Sequence, residues 1–182
     1  MELDEAIKGR RSVRNYTDKP VHMEMIRDVL EAGTWAPSAK NGQQWRFTVL
    51  TGDAKGRLTD LFRSKLEARS RWVGPAEMGS SLASCGIMER APVLIMVWNA
   101  GEHGWPSEEH SVAAAVQNML LKAHSLGLGS LWIADVYYAV DALAKHLGKK
   151  WKLIAAVAMG WPAETPRPRS KLTIDEVAEF VS

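Results

Sequence analysis

Ala91-Pro92-Val93-Leu94-Ile95-Met96-Val97-Trp98 is an unbroken apolar run, and it narrows the fold more than any other stretch. A segment of strand length that is apolar on both alternating faces predicts a strand in the middle of a sheet, covered on each side. The cover is legible as helices. Ile26, Val29 and Leu30 mark one, closed by Gly33; Leu58, Leu61 and Phe62 mark another; Val112, Val116, Met119, Leu120 and Ala123 mark a long third, with Ser107 as its cap and Glu108 and Glu109 in its first turn. Trp45 to Leu50, Leu131 to Val136 and Trp151 to Met159 read as further strands. A first helix carries Leu3, Ala6 and Ile7 as an apolar stripe and stops at Gly9; short helices are predicted from about Val140 to Leu147 and from Ile174 to Phe180. Between Ser70 and Arg90 the periodicity fails at Gly74-Pro75, Gly79 and Gly86, which predicts a mobile or substrate-shaping segment. Helices and strands mix without regular βαβ repetition, so the expected class is α+β, a single domain over residues 1–182.

Charge and cysteine content remove several functions. Twenty-three basic and 21 acidic residues leave a formal net charge of +2, too balanced for a protein that lives on nucleic acid, so any anion recognition must be local. The single Cys85 excludes an intramolecular disulfide and suits a reducing compartment. Met1-Glu2-Leu3-Asp4-Glu5 is an acidic helical start unlike a signal or transit peptide, and no apolar run is long enough to span a bilayer; a cytoplasmic protein without membrane contact is the simplest expectation. Eight Trp are many for this length, which predicts that some indoles face something other than the core.

Local anion recognition has an obvious seat. Gly9-Arg10-Arg11-Ser12-Val13-Arg14 crowds three guanidinium groups and a hydroxyl together, a set that matches phosphate oxygens two at a time. A solvated helix end fits the same residues. A second polar stretch, Ala36-Pro37-Ser38-Ala39-Lys40-Asn41-Gly42-Gln43-Gln44-Trp45, follows closely. Gly127-Leu128-Gly129 follows a helix and precedes a strand, the reverse of a dinucleotide-binding turn. His103, His110, Glu108 and Glu109 have no recognised metal-ligand spacing. Cys85 has no Cys-His-Asn context, and packing explains it best; no Gly-x-Ser-x-Gly elbow is present. No set of side chains does bond-making by itself, so a cofactor is expected to carry the chemistry.

Arg10-Arg11-Ser12-Val13-Arg14, the stretch from Ala36 to Phe47, Gln117-Asn118-Met119-Leu120-Leu121 running into Gly127 to Trp132, and Met159-Gly160-Trp161-Pro162 together resemble, in order and spacing, the FMN-dependent nitroreductase family. The resemblance covers nearly the whole chain and is poorest from Ser70 to Arg90. It implies a nitroreductase-like α+β fold with a central mixed sheet flanked by helices, an intertwined homodimer with two FMN sites at the interface, and ping-pong hydride transfer from NADH or NADPH to a small-molecule electron acceptor such as a nitroaromatic or quinone. Specialised FMN enzymes of the same fold, a reductive dehalogenase or a flavin-fragmenting enzyme, are the alternatives, with a non-catalytic flavin-binding protein as a third. Residue by residue, the resemblance assigns Arg10, Arg11 and Ser12 to the FMN phosphate, ribityl chain and pyrimidine edge. Pro37, Ser38 and Asn41 match the loop laid against the flavin by the partner subunit, although Gln44 stands where the family usually has Pro. Ala134 and Asp135 match the backbone that meets the flavin N5 edge. Asp135 replaces a common Gly, and a carboxylate so close to the ring would tune potential or substrate. Arg167, Arg169 and Lys171 lie where a C-terminal cation reaches back to the phosphate, Arg169 being favoured. No residue is assigned a covalent catalytic role. The runs Ala113-Ala114-Ala115 and Pro162 to Pro168 suit close contact with a second copy and an arm reaching over it.

Overall fold

A computed structural model describes residues 1–181. Its sheet has four strands, β1 (Trp45–Leu50), β2 (Val93–Asn99), β3 (Gly129–Ile133) and β4 (Lys152–Gly160), in the order β1-β2-β4-β3. Every residue of β2 is buried. The reason is the cover that its sequence demands: Leu94, Met96 and Trp98 point into one apolar layer, and Val93, Ile95 and Val97 into another. The first layer lies under the helices α3 (Gly52–Val73), α4 (Pro75–Arg90) and α6 (Val140–His146). The second lies under α2 (Met23–Thr34) and α5 (Pro106–Ser125).

The three strand pairings are all antiparallel, where a mixed sheet was expected. The connections explain it. The α3 and α4 pair forms a hairpin that returns the chain to the end of the sheet where β1 stopped, so Leu50 faces Leu94. A single helix, α5, carries the chain from β2 to β3 in the same direction, and β4 then fills the gap between them antiparallel to both. One isolated parallel bridge, Ser12 to Ser130, adds to the outer edge of β3.

Several expectations need correction. Residues 70–90 are not irregular: α3 continues to Val73 and α4 follows directly. Met78, Ser81, Cys85 and Met88 are all buried, at helical spacing of three, four and three. A hydroxyl and a thiol among them hide the stripe from a hydropathy reading, and packing against α3 and the sheet overrides Gly79 and Gly86. Ser107 does not cap α5; Trp105 is the N-cap and Pro106 occupies the first turn, where its missing N–H costs nothing. Gly33 does not stop α2. It is buried in the helix because a Cβ there would meet Met119 Cγ at 2.9 Å and Phe47 Cζ at 3.3 Å. The third strand ends at Ile133 and turns into a 3-10 segment over Asp135–Ala139, short of the predicted Val136. Only Ala6 is buried on α1 (Leu3–Gly9), leaving Leu3 and Ile7 exposed. The last helix, α7, is the single turn Ile174–Val177, and Leu172, Ile174, Val177, Phe180 and Val181 around it are exposed. The indoles divide as expected, with Trp98 and Trp45 in the core and Trp35 and Trp72 at 80% and 89% exposure.

Candidate functional site

Helix α1 ends at Arg10, whose extended backbone sends the chain alongside β3. Val13 N–H donates to the Ser130 carbonyl at 3.1 Å, and Gly129 is required opposite, since a Cβ would lie 2.7 Å from Val13 Cγ1 and 2.8 Å from its Cβ. The close approach fixes Arg10, Arg11 and Ser12 on the sheet edge. Tyr16 continues the attachment: it bridges to Pro162, and its hydroxyl bonds to the carbonyls of Val13 and Ala158 at 2.8 and 3.3 Å. Burial, then the charge of Glu164, pushes that phenol well above its ordinary value, so it remains a donor.

The C-terminal tail is fastened to the same segment by Glu164. Its carboxylate accepts from Arg14 N–H at 2.6 Å, from Asn15 N–H at 3.1 Å and from Asn15 Nδ2 at 2.9 Å. The Arg14 backbone bond holds the Glu164 carboxyl below its usual range, with burial opposing and the Asn15 bonds adding. Beyond this anchor, residues 166–171 run along the opposite wall of a cleft of about 670 Å³. Lys8, Arg10, Arg11 and Arg14 line one side, Arg167, Arg169 and Lys171 the other, and no carboxylate-bearing residue lines either.

The cations are not equivalent. Arg11 Nη1 donates to the carbonyls of Lys8 and Arg10 at 2.7 and 2.8 Å, closing the end of α1. Arg14 Nη1 donates to the Ser12 carbonyl at 3.1 Å, and Lys8 pairs with Asp4 at 2.6 Å. Arg10 differs: its Nε is buried with no hydrogen-bond partner, and the Ser130 hydroxyl oxygen is in the same condition. Arg10 lines the cleft, so its unspent Nε is a donor that a polar ligand there could satisfy. His124 of α5 backs the cluster; burial first, then the charges of Arg10 and Arg11, depresses its pKa and keeps the imidazole neutral.

Pro37, Ser38 and Asn41 do not line this cleft. They sit on a loop with three non-glycine residues in the left-handed region, Lys40 and Asn41 at φ 53° and Gln43 at φ 47°. Ala39 N–H donates to Ser111 Oγ at 3.0 Å and Gln43 N–H to Ser38 Oγ at 3.1 Å, while Lys40 Nζ lies 4.6 Å from the Trp105 ring centroid. The strained form is thus held from beneath, with Pro37 and Asn41 exposed.

Ala134 and Asp135 sit at the far end of β3 from Ser130. Because Ser130 turns its carbonyl outward to Val13, alternation along an antiparallel strand turns the N–H groups of Trp132 and Ala134 to the same outer edge. From Ser130 to Ile133 that edge extends about 10 Å, at roughly 3.3 Å per residue, before the chain turns at Ala134. Asp135 Oδ1 accepts from the buried Ser81 hydroxyl at 2.7 Å. The structure therefore joins Arg10, Arg11 and Ser12 to Arg167 and Arg169 in one cleft, leads from it along β3 to Ala134 and Asp135, and leaves Pro37, Ser38 and Asn41 elsewhere. Sequence reasoning missed Glu164, His124 and Ser81. Only Ser81 left a signal, as one step in the helical spacing of α4.

Cys85 is fully buried, with Sγ 3.6 Å from the Thr59 carbonyl. Burial, followed by the charge of Glu89, raises its pKa to about 12, the state of a packing thiol rather than a nucleophile. His103 Nδ1 lies 3.2 Å from the buried Glu108 carboxylate, and no group of three or more metal-ligating side chains occurs among the described residues. No helix among those residues is long and apolar enough to cross a membrane.

A four-stranded α+β sheet with an acid-free cationic cleft beside its edge strand has the charge that suits an anionic ligand. The chain belongs to the nitroreductase family, whose sequence profile matches residues 7–161. It is 27% identical over 175 residues to the 5,6-dimethylbenzimidazole synthase of Rhodospirillum rubrum, covering 89% of this chain and 82% of that one. It is 28% identical over 185 residues to a Methanothermobacter thermautotrophicus protein provisionally named NADH dehydrogenase/NAD(P)H nitroreductase, covering 97% and 86%. A Desulfovibrio desulfuricans protein crystallised in complex with FMN superposes with a TM-score of 0.78 at 31% identity, over 98% of this chain and 96% of the other.

Proposed function

We propose that this chain is an FMN-dependent oxidoreductase that takes reducing equivalents from NADH or NADPH and delivers them to an electrophilic small molecule, a nitroaromatic or quinone, as a cytoplasmic homodimer. The whole chain acts as one FMN-binding domain. The observation that carries the reading is the cleft itself: seven cations with no acid, the buried and unpartnered Nε of Arg10, and the edge strand β3 against which the Arg10 segment is seated. That donor set fits a phosphate dianion joined to a long polar chain and a flat ring. Arg10, Arg11 and Ser12 hold the phosphate end with Arg167 or Arg169 closing over it, and the outward backbone of Trp132 and Ala134 faces the ring. FMN, when bound, supplies the two-electron redox chemistry. The protein's part is to bind, orient and exclude water.

Dimerisation follows from what one subunit lacks. A broad ring needs a wall on each side, and the loop assigned to the second wall, Pro37 to Asn41, lies outside the cleft of its own chain. Leu3, Ile7, Leu172, Ile174, Val177 and Phe180 remain exposed, a supply of apolar surface that a partner subunit would cover. Sedimentation should show a dimer at micromolar concentration. Mixing Arg10→Ala chains with Asn41→Ala chains should regenerate one intact site per pair.

The deciding experiment is an absorbance spectrum of the purified protein, followed by anaerobic titration with NADH and NADPH and addition of an acceptor. A yellow protein that bleaches and recovers its full flavin spectrum supports the reading, and a colourless protein that takes up no added FMN overturns it. The likeness to 5,6-dimethylbenzimidazole synthase favours a second reading. In that case the FMN spectrum would fail to return after reoxidation in air, because the flavin itself is consumed.

A further inference from the structure

We infer that Ser81 is a positioning residue which holds the Asp135 carboxylate at the ring end of the site, where its negative charge lowers the reduction potential of bound FMN. The inference rests on the FMN reading above.

The case begins with where serine hydroxyls go in this protein. Those of Ser64, Ser70, Ser111 and Ser125 donate to carbonyls three or four residues back in their own helices. Ser81 instead donates out of α4 to Asp135 Oδ1, 54 positions along the chain, at 2.7 Å. Ser81 is 1% exposed and lies on the face that otherwise buries Met78, Cys85 and Met88. Packing alone would be served there by Ala, so the hydroxyl is explained by its bond to Asp135.

Asp135 in turn opens the 3-10 segment that follows β3, at the opposite end of the strand from the cation cleft. It takes part in no salt bridge among the described residues. Its field nonetheless reaches its surroundings. The Tyr137 phenol is pushed up by its bond with Tyr138 first, then by burial and by the charges of Tyr138 and Asp135, against the opposing charge of Arg69. Two electrons and one proton received from the nicotinamide leave one additional negative charge on the ring. A carboxylate held beside it opposes that gain more than it opposes binding of the oxidised form. Without Ser81 the Asp135 side chain is free to turn to water, where screening weakens its effect.

The test is the midpoint potential of the FMN-loaded protein, measured by anaerobic reductive titration against a reference dye, with FMN affinity measured in parallel. Asp135→Asn is isosteric and should shift the ratio of oxidised to reduced FMN dissociation constants about tenfold toward the reduced form, a rise of about 30 mV for a two-electron couple. Ser81→Ala should move the potential in the same direction by a smaller factor. The double variant should match Asp135→Asn alone, because Ser81 acts through the carboxylate. Asp135→Glu keeps the charge and should stay within about twofold of the unaltered protein in that ratio. A loaded Asp135→Asn protein within twofold of wild type overturns this inference and leaves the FMN reading standing, as does full additivity of the two substitutions. A wild-type protein that binds no FMN overturns both.

Discussion

Arg10→Ala is the substitution whose outcome the structure constrains most. Its Nε is buried without a partner in the free protein, so deleting the side chain removes an unsatisfied donor and should not weaken the fold. In the proposed FMN complex the same guanidinium would make charge-assisted bonds to phosphate, worth roughly 1.5 to 3 kcal/mol, which corresponds to about 10- to 150-fold in FMN affinity. The assay is thermal unfolding with and without FMN. At a concentration 100 times the wild-type Kd, ligand binding contributes about 2.7 kcal/mol; a tenfold weaker site retains about 1.4 kcal/mol and a hundredfold weaker one about 0.4 kcal/mol. For a chain of this size 1 kcal/mol moves Tm by roughly 2–4 °C. Arg10→Ala should therefore lose about 3–9 °C of the FMN-induced gain while its ligand-free Tm stays near wild type. An undiminished FMN shift would show the cluster to be a solvated helix end. A collapse of the ligand-free Tm would show that Arg10 supports the fold instead.

Three further outcomes follow from particular contacts. Gly129→Ala drives a methyl into Val13; urea unfolding should show a loss of about 1–3 kcal/mol, and a change under 0.5 kcal/mol would contradict the tight approach of the Arg10 segment to β3. Glu164 has a depressed pKa in the folded protein, so its attachment of the tail is complete above about 4.5 and is lost as pH falls through the lower folded value. Hydrogen-exchange protection of the Arg14 and Asn15 amides, corrected for intrinsic rates, should follow that course and should be lost at neutral pH in Glu164→Ala; unchanged protection in the variant refutes it. Cys85, with a thiol pushed up to about 12, should resist disulfide reagents at pH 8 until the protein unfolds, and Cys85→Ser should keep its turnover. Rapid labelling of the native protein would contradict its burial.

Much of this fold was legible because single stretches were unambiguous. The apolar run at β2 could only be a covered strand, and Trp45 to Leu50 matches β1 residue for residue. Helix α4 was not legible, since its buried face includes Ser81, Cys85 and Gly86, which hydropathy does not distinguish from a loop. Strand direction was hidden for a different reason: antiparallel pairing of β1 with β2 depends on two helices forming a hairpin, and the weak pattern after Ser70 concealed the second of them. Of the site, the Arg10 to Ser12 cluster and the cations of the tail announce themselves by composition. Their meeting does not, because it depends on Glu164 choosing Arg14 and Asn15 as partners, and a lone glutamate between Ala and Thr carries no such instruction.

The bond from Glu164 to Arg14 spans 150 positions, and the bridge that seats Ser12 needs Ser130 in place. The two walls of the cleft thus come from segments about 150 positions apart, and the strand that seats the first of them lies far along the chain from it. An N-terminal fragment emerging from the ribosome carries the Arg cluster but has nothing to hold it in place. On the proposed function, FMN capture therefore waits until both segments have been made. A chain stalled before Glu164 should then stay colourless however well its earlier helices have formed.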